Sequence, residues 1–216
     1  MMLDAGCGPR ISSLAVVPDS VHCVGVDASF RNVLASHRKA RINGYQNFRF
    51  VVASIENLPF INGIFDLILC CDVLEHVKRK RSALHEISRV HKPGGTFVGS
   101  TTNLLNPIVF FDSFAPRRIT SVLTRKFAGA HQHQTYSRFT PYGLLKTLVE
   151  MGFERCKVML FGHPLFQPWI YENERTIKLP WFAFLWIAFD NITHRRQLRL
   201  FKETLVFCAR KNQSVG

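Results

Sequence analysis

Leu3-Asp4-Ala5-Gly6-Cys7-Gly8 stands at the start of this chain, and nineteen residues after Gly8 comes Asp27, within Gly25-Val26-Asp27. Two glycines one residue apart, just after a short first strand, let the backbone turn tightly and approach a ligand closely. An acidic side chain about 20 residues further on, at the end of the next strand, is placed to accept hydrogen bonds from ribose hydroxyls. A Gly-x-Gly pair alone is common by chance. Turn, spaced acid and strand context together point to a nucleotide-type cofactor. The structural alternative for Asp27 is a plain helix N-cap, and the functional alternative for the turn is a dehydrogenase loop.

Working outward, short apolar runs alternate with helical patterns. Segments 22–27 (HCVGVD), 48–52 (FRFVV), 65–71 (FDLILCC) and 96–100 (TFVGS) read as strands. Segments 30–42 and 81–91 between them read as helices, the second stopped by Lys92-Pro93-Gly94-Gly95. Strands joined by crossover helices imply an α/β, Rossmann-like, doubly wound sheet that is mostly parallel. Further on, 141–151 carries a helical apolar stripe closed by Gly152, and 153–161 and 203–209 read as strands. The chain therefore divides into a main domain, 1–161 with 203–211, and an aromatic and basic insertion at 162–202.

Four motifs occur in order: LDAGCG at 3–8, GVDAS at 25–29, ASIENLPFINGIFDLILCCDVLEHV at 53–77 and RVHKPGG at 89–95. Together they resemble the signature series of the class I methyltransferases of the ubiquinone/menaquinone-biosynthesis type. The resemblance covers roughly residues 3–101 and returns weakly at 139–153. It implies a seven-stranded, mostly parallel sheet whose antiparallel last strand inserts between its neighbours, with S-adenosyl-L-methionine at the carboxyl ends of the strands. The backbone around Ala5, Gly6 and Gly8 would then face the methionine part of the cofactor, supported by Asp4. Asp27 would hold the ribose hydroxyls, with Ala28 beside the adenine. Ser54 and Ile55 fall where the family reads the adenine edge. Cys71 and Asp72 would line the pocket near the sulfonium, with His76 one turn on.

The chain departs from the family pattern in three places. Arg10 stands where a third glycine is usual, Ser54 replaces the customary Asp, and the first strand is truncated at its N-terminal side. No catalytic residue is assigned; His76, His133 and Tyr136 are the candidates for a base, needed only if the acceptor must lose a proton. His131 and His133 lack a carboxylate or thiolate partner in sequence, so no metal is expected. The six cysteines show no metal spacing and read as free thiols of a cytoplasmic protein.

The net charge of +13 is unevenly placed: residues 1–75 hold six Lys/Arg against seven Asp/Glu, leaving 22 basic and 8 acidic residues for the rest. The excess lies where a substrate or surface would be met. The reading is a methyltransferase acting on a small-molecule or lipid-like acceptor. The alternatives are an inactive methyltransferase-like scaffold, suggested by Arg10, Ser54 and the short start, and a nucleic-acid methyltransferase. The sequence after the fourth strand, Cys71-Asp72-Val73-Leu74, lacks the Asn-Pro-Pro-Tyr type of motif and makes nucleic acid the lesser choice. Segment 179–189 (LPWFAFLWIAF), followed by His194, Arg195, Arg196, Arg199 and Lys202, fits either a lid or dimer helix or a helix lying on a membrane surface.

Overall fold

The computed structural model describes residues 1–9, 17–106, 109–110, 138–161 and 204–213. Arg10, His131, His133, Tyr136 and the whole 162–202 insertion lie outside the described residues. Contacts divide the chain into two units, one of Met1–Thr101, Gln134–Val158 and Val206–Gly216, the other of Thr102–His133 and Met159–Leu205.

Seven strands are present: β1 (Met2–Ala5), β2 (Cys23–Asp27), β3 (Phe48–Val52), β4 (Phe65–Cys71), β5 (His91–Thr102), β6 (Phe153–Phe161) and β7 (Thr204–Lys211). The helices are α1 (Phe30–Ile42), α2 (Lys80–Val90) and α3 (Pro141–Glu150), with a 3₁₀ turn at Leu74–His76. The sheet order is β3-β2-β1-β4-β5-β7-β6. β1 pairs in parallel with β2 and β4, β2 with β3, and β4 with β5. The sheet is mixed, mostly parallel and antiparallel at its end, and β7 inserts between β5 and β6. The order reverses beside β1, which places a crevice at the carboxyl ends of β1 and β4.

Local chemistry explains the helix starts. Ser29 caps α1, its hydroxyl accepting from the Asn32 N–H. Thr140 caps α3 in the same way through the Gly143 N–H, and Pro141 fills the first helical position, where its missing N–H costs nothing. α2 has no side-chain cap. Three cations at its start find partners instead. Arg79 pairs with Glu56 at 2.7 Å, Arg81 pairs with Glu150 at 2.6 Å, and the Lys80 ammonium sits 4.3 Å from the Phe139 ring centre. The charges at 79–81 thus meet partners within the fold.

β1 is buried at all four positions, as a central parallel strand covered on both faces must be. On one side Met2, Cys23, Ala40 and Phe48 form a cluster with Tyr45 and Phe50. Elsewhere in the core Phe97 meets Phe207 edge-on at 5.0 Å and Phe153 at 5.3 Å. All six cysteines are free thiols; Cys7, Cys23 and Cys70 are buried, whereas Cys71 and Cys208 are exposed.

The structure corrects one boundary. The Lys92-Pro93-Gly94-Gly95 stretch was expected to be a helix stop ahead of a strand beginning at Thr96, but β5 already starts at His91. Phe65 pairs with His91 and Leu67 with Thr96, so a bulge absorbs the Pro-Gly-Gly segment within the strand pairing. In the second unit, Asn103 and Asn106 are buried and accept from the N–H groups of Leu105 and Val109 at 3.0 and 3.1 Å.

Candidate functional site: the glycine turn and the ends of β2 and β4

The turn after β1 is built by short bonds to β2. The N–H groups of Gly6 and Cys7 both donate to the Val26 carbonyl, at 2.7 and 2.9 Å. Gly6 has φ +81°, a left-handed conformation that L side chains rarely adopt, and a Cβ there would overlap the Val73 isopropyl group. Gly8 (φ +57°) has open space where its Cβ would be, so the backbone is bare toward any ligand. Its carbonyl accepts from the Ser36 hydroxyl of α1, and its N–H donates to Asp27 Oδ2 at 3.0 Å.

Asp27 ends β2, half-buried, with the exposed Ala28 beside it. Its Oδ1 accepts from the Ser29 N–H at 2.8 Å and from Asn32 Nδ2 at 3.1 Å. The helix N-cap is Ser29, not Asp27. Three protein donors thus orient this carboxylate, which has roughly four lone-pair sites to fill, and acceptor capacity is left for a ligand hydroxyl.

After β3, Ser54 is exposed while Ile55 is buried. The Ser54 hydroxyl accepts from the Glu56 N–H at 3.1 Å, a local turn that leaves its O–H free to donate. At the end of β4, Cys71 and Asp72 are exposed, and His76 is exposed in the 3₁₀ turn. Glu75 is buried, with its Oε2 accepting from the Thr101 hydroxyl at 3.0 Å. Burial holds the Glu75 carboxyl above its ordinary range.

The field at the turn is acidic. Burial, then the carboxylates of Asp4 and Asp27, push the Cys7 thiol up to about 12. Cys7 is therefore an inert packing group, and the carboxylates that raise it favour a cationic ligand at the same turn. An open glycine backbone, a carboxylate at ribose spacing and an acidic field together fit a nucleoside sulfonium.

Asp4, Ala5, Gly6, Gly8, Asp27 and Ala28 thus come together where β1 and β2 end, and Cys71, Asp72 and His76 lie at the end of β4, which pairs with β1. Among the described residues no three His, Cys, Asp or Glu side chains group to hold a metal. Ser36, Asn32, Val73, Ser100 and Thr101 support the site and escaped the sequence reading. Only Ser100-Thr101 left a signal, as small hydroxyl residues at the carboxyl end of a strand.

A doubly wound α/β sheet with this turn at its switch point defines a Rossmann-like, nucleotide-type cofactor domain. The family described as "Methyltransferase domain" matches residues 3–99. A ubiquinone biosynthesis O-methyltransferase of Rhizobium johnstonii is 30% identical over 179 residues, 82% of this chain and 69% of that enzyme. The uncharacterized methyltransferase YcgJ of Bacillus subtilis is 36% identical over 97 residues, 45% of this chain but only 38% of that protein. The crystal structure of YcgJ superposes with a TM-score of 0.63 at 20% identity, covering 99% of this chain and 92% of the other. The phosphoethanolamine N-methyltransferase 2 of Haemonchus contortus, solved with S-adenosyl-L-methionine, superposes at 0.66 and 16% identity, covering 98% of this chain and 48% of the other. The chain belongs to the class I S-adenosylmethionine-dependent methyltransferases, and its cofactor is S-adenosyl-L-methionine.

Proposed function

We propose that this chain methylates a small-molecule or lipid-like acceptor. The observation that carries this reading is the extent of likeness to the ubiquinone biosynthesis O-methyltransferase. It runs over 179 residues, whereas the family match ends at residue 99. Likeness beyond the cofactor half supports a related acceptor class as well as a shared cofactor.

When bound, S-adenosyl-L-methionine supplies a methyl group already activated by its sulfonium. The protein's contribution is then mainly positioning, worth up to ~7–11 kcal/mol for well-aligned reactants. The glycine turn from Ala5 to Gly8, backed by the carboxylate of Asp4, would hold the methionine end. Asp27 would hold the ribose, with Ala28, Ser54 and Ile55 along the adenine, and Cys71 and Asp72 would wall the sulfonium side. His76, exposed one turn after β4, is the candidate base among the described residues. His133 and Tyr136 share that candidacy from sequence.

The test is incubation of the protein and methyl-labelled cofactor with a cell extract, followed by fractionation. Label is expected in the organic-soluble and small-molecule fractions. Label confined to nucleic acid would overturn the proposal, and loss of label in His76→Ala alone would assign the base.

A further inference from the structure

The turn that follows β4 is held in an unusual shape. Asp72 has φ +54°, one of two non-glycine residues with positive φ among the described residues. Such a conformation is unfavourable for a side-chain-bearing residue and persists where the surroundings hold it. A single residue of β5 makes three hydrogen bonds with it. The Asp72 N–H donates to the Ser100 carbonyl at 3.0 Å and also to the Ser100 hydroxyl oxygen at 3.2 Å. In return the Ser100 hydroxyl donates to Asp72 Oδ1 at 2.7 Å. One hydroxyl therefore grips both the backbone and the side chain of the strained residue.

The strain has a geometric consequence. The left-handed step at Asp72 is followed at once by Val73, whose isopropyl group fills the space where Gly6 has no Cβ. The turn after β4 and the glycine turn after β1 are thus in direct contact through Val73. The next residue of β5, Thr101, faces the other side of the strand and ties Glu75 by its hydroxyl at 3.0 Å. Consecutive hydroxyls on opposite faces of β5 clasp the 72–76 segment at both ends.

We propose that Ser100 is a positioning residue for the cofactor: it enforces the left-handed conformation at Asp72, which seats Val73 on Gly6 and fixes the glycine turn. It acts through Asp72 and Val73, and the proposal needs no contact between Ser100 and the ligand. It rests on the family's cofactor and is independent of the acceptor.

Calorimetric titration with S-adenosylhomocysteine tests it, together with melting of each protein with and without ligand. Ser100→Ala is expected to weaken binding about tenfold, about 1.4 kcal/mol, and to shrink the ligand-induced rise in Tm. Ser100→Thr keeps the hydroxyl and is expected to bind within about twofold of the wild type, the hydroxyl being the group that acts. Glycine takes the left-handed conformation unaided. In an Asp72→Gly background, Ser100→Ala is therefore expected to change affinity by less than about twofold, a coupling that shows Ser100 acts through Asp72. If Ser100→Ala does not fold, Ser100→Cys, of similar size with a weak donor, takes its place with the same expectations. Wild-type affinity in Ser100→Ala, or an equal loss in both backgrounds, overturns the proposal. A wild-type protein that fails to bind would instead sink the cofactor assignment itself.

Discussion

Asp27 joins two loops at the carboxyl end of β2. Its carboxylate takes the N–H of Gly8 and of Ser29 and the amide of Asn32, so replacing it removes an acceptor from the glycine turn and from the start of α1 together. Asp27→Ala is expected to weaken cofactor binding at least tenfold, since a charge-assisted bond is worth ~1.5–3 kcal/mol. An unchanged dissociation constant would place the ribose elsewhere. The cysteines offer a second test at this scale. Cys7 is buried with its thiol pushed up to about 12, and Cys23 and Cys70 are also buried, while Cys208 is exposed. Alkylation at pH 8 followed by mass spectrometry is expected to mark Cys208 long before Cys7. Equal labelling of the two would contradict the closed packing of the glycine turn.

At the scale of elements, Arg89 fastens the loop between β3 and β4 to α2. Its guanidinium donates to both Glu86 oxygens at 2.7 Å, to the carbonyls of Phe60 and Leu58 at 2.7 and 3.0 Å, and to Asn62 Oδ1 at 2.9 Å. Glu86 in turn accepts from the Leu58 N–H. Arg89→Ala is expected to cost about 2–3 kcal/mol in urea unfolding. Lysine would not replace it, because one ammonium cannot span the fork of acceptors. His91, at the junction of α2 and β5, packs against Phe97 and Phe153. Burial lowers its pKa from 6.5 to about 4. The unfolded chain thus binds a proton below pH 6.5 that the folded chain refuses until about pH 4. Stability therefore falls as pH drops through that window, by at most about 3 kcal/mol. His91→Leu is expected to flatten this part of the pH profile; an unaltered slope would mean another group carries it.

For the whole molecule, the aromatic and basic insertion at 162–202 carries the prediction. Among the described residues no helix is long and apolar enough to cross a membrane, and the 162–202 insertion lies outside them. Its tryptophans next to cations suit an interface between water and lipid, and basic groups near an anionic surface contribute ~1 kcal/mol each. If the acceptor is lipid-linked, the protein is expected to sediment with anionic liposomes. Sedimentation should fall with added salt and vanish when Trp181, Trp186 and Phe189 become Ser. A folded protein that stays in the supernatant at low salt would leave the insertion as a lid or a subunit contact.

The chain's own sequence determined the alternation of strands and helices, the glycine turn and the acid spaced from it. These are local properties: a left-handed residue or an apolar period is written in neighbouring residues. The sequence also puts the start of β5 too late, at Thr96, because Pro-Gly-Gly reads as a break between elements and here lies within the strand, in a bulge of its pairing with β4. Only the tertiary structure decided that Ser36 holds Gly8, that Val73 covers Gly6, and that Ser100 and Thr101 hold Asp72 and Glu75. The paired residues lie 28, 67, 28 and 26 positions apart. The last three pairs meet because the sheet sets β4 between β1 and β5, the first because α1 packs beside the turn after β1, and contacts so far apart along the chain leave no periodic trace in it.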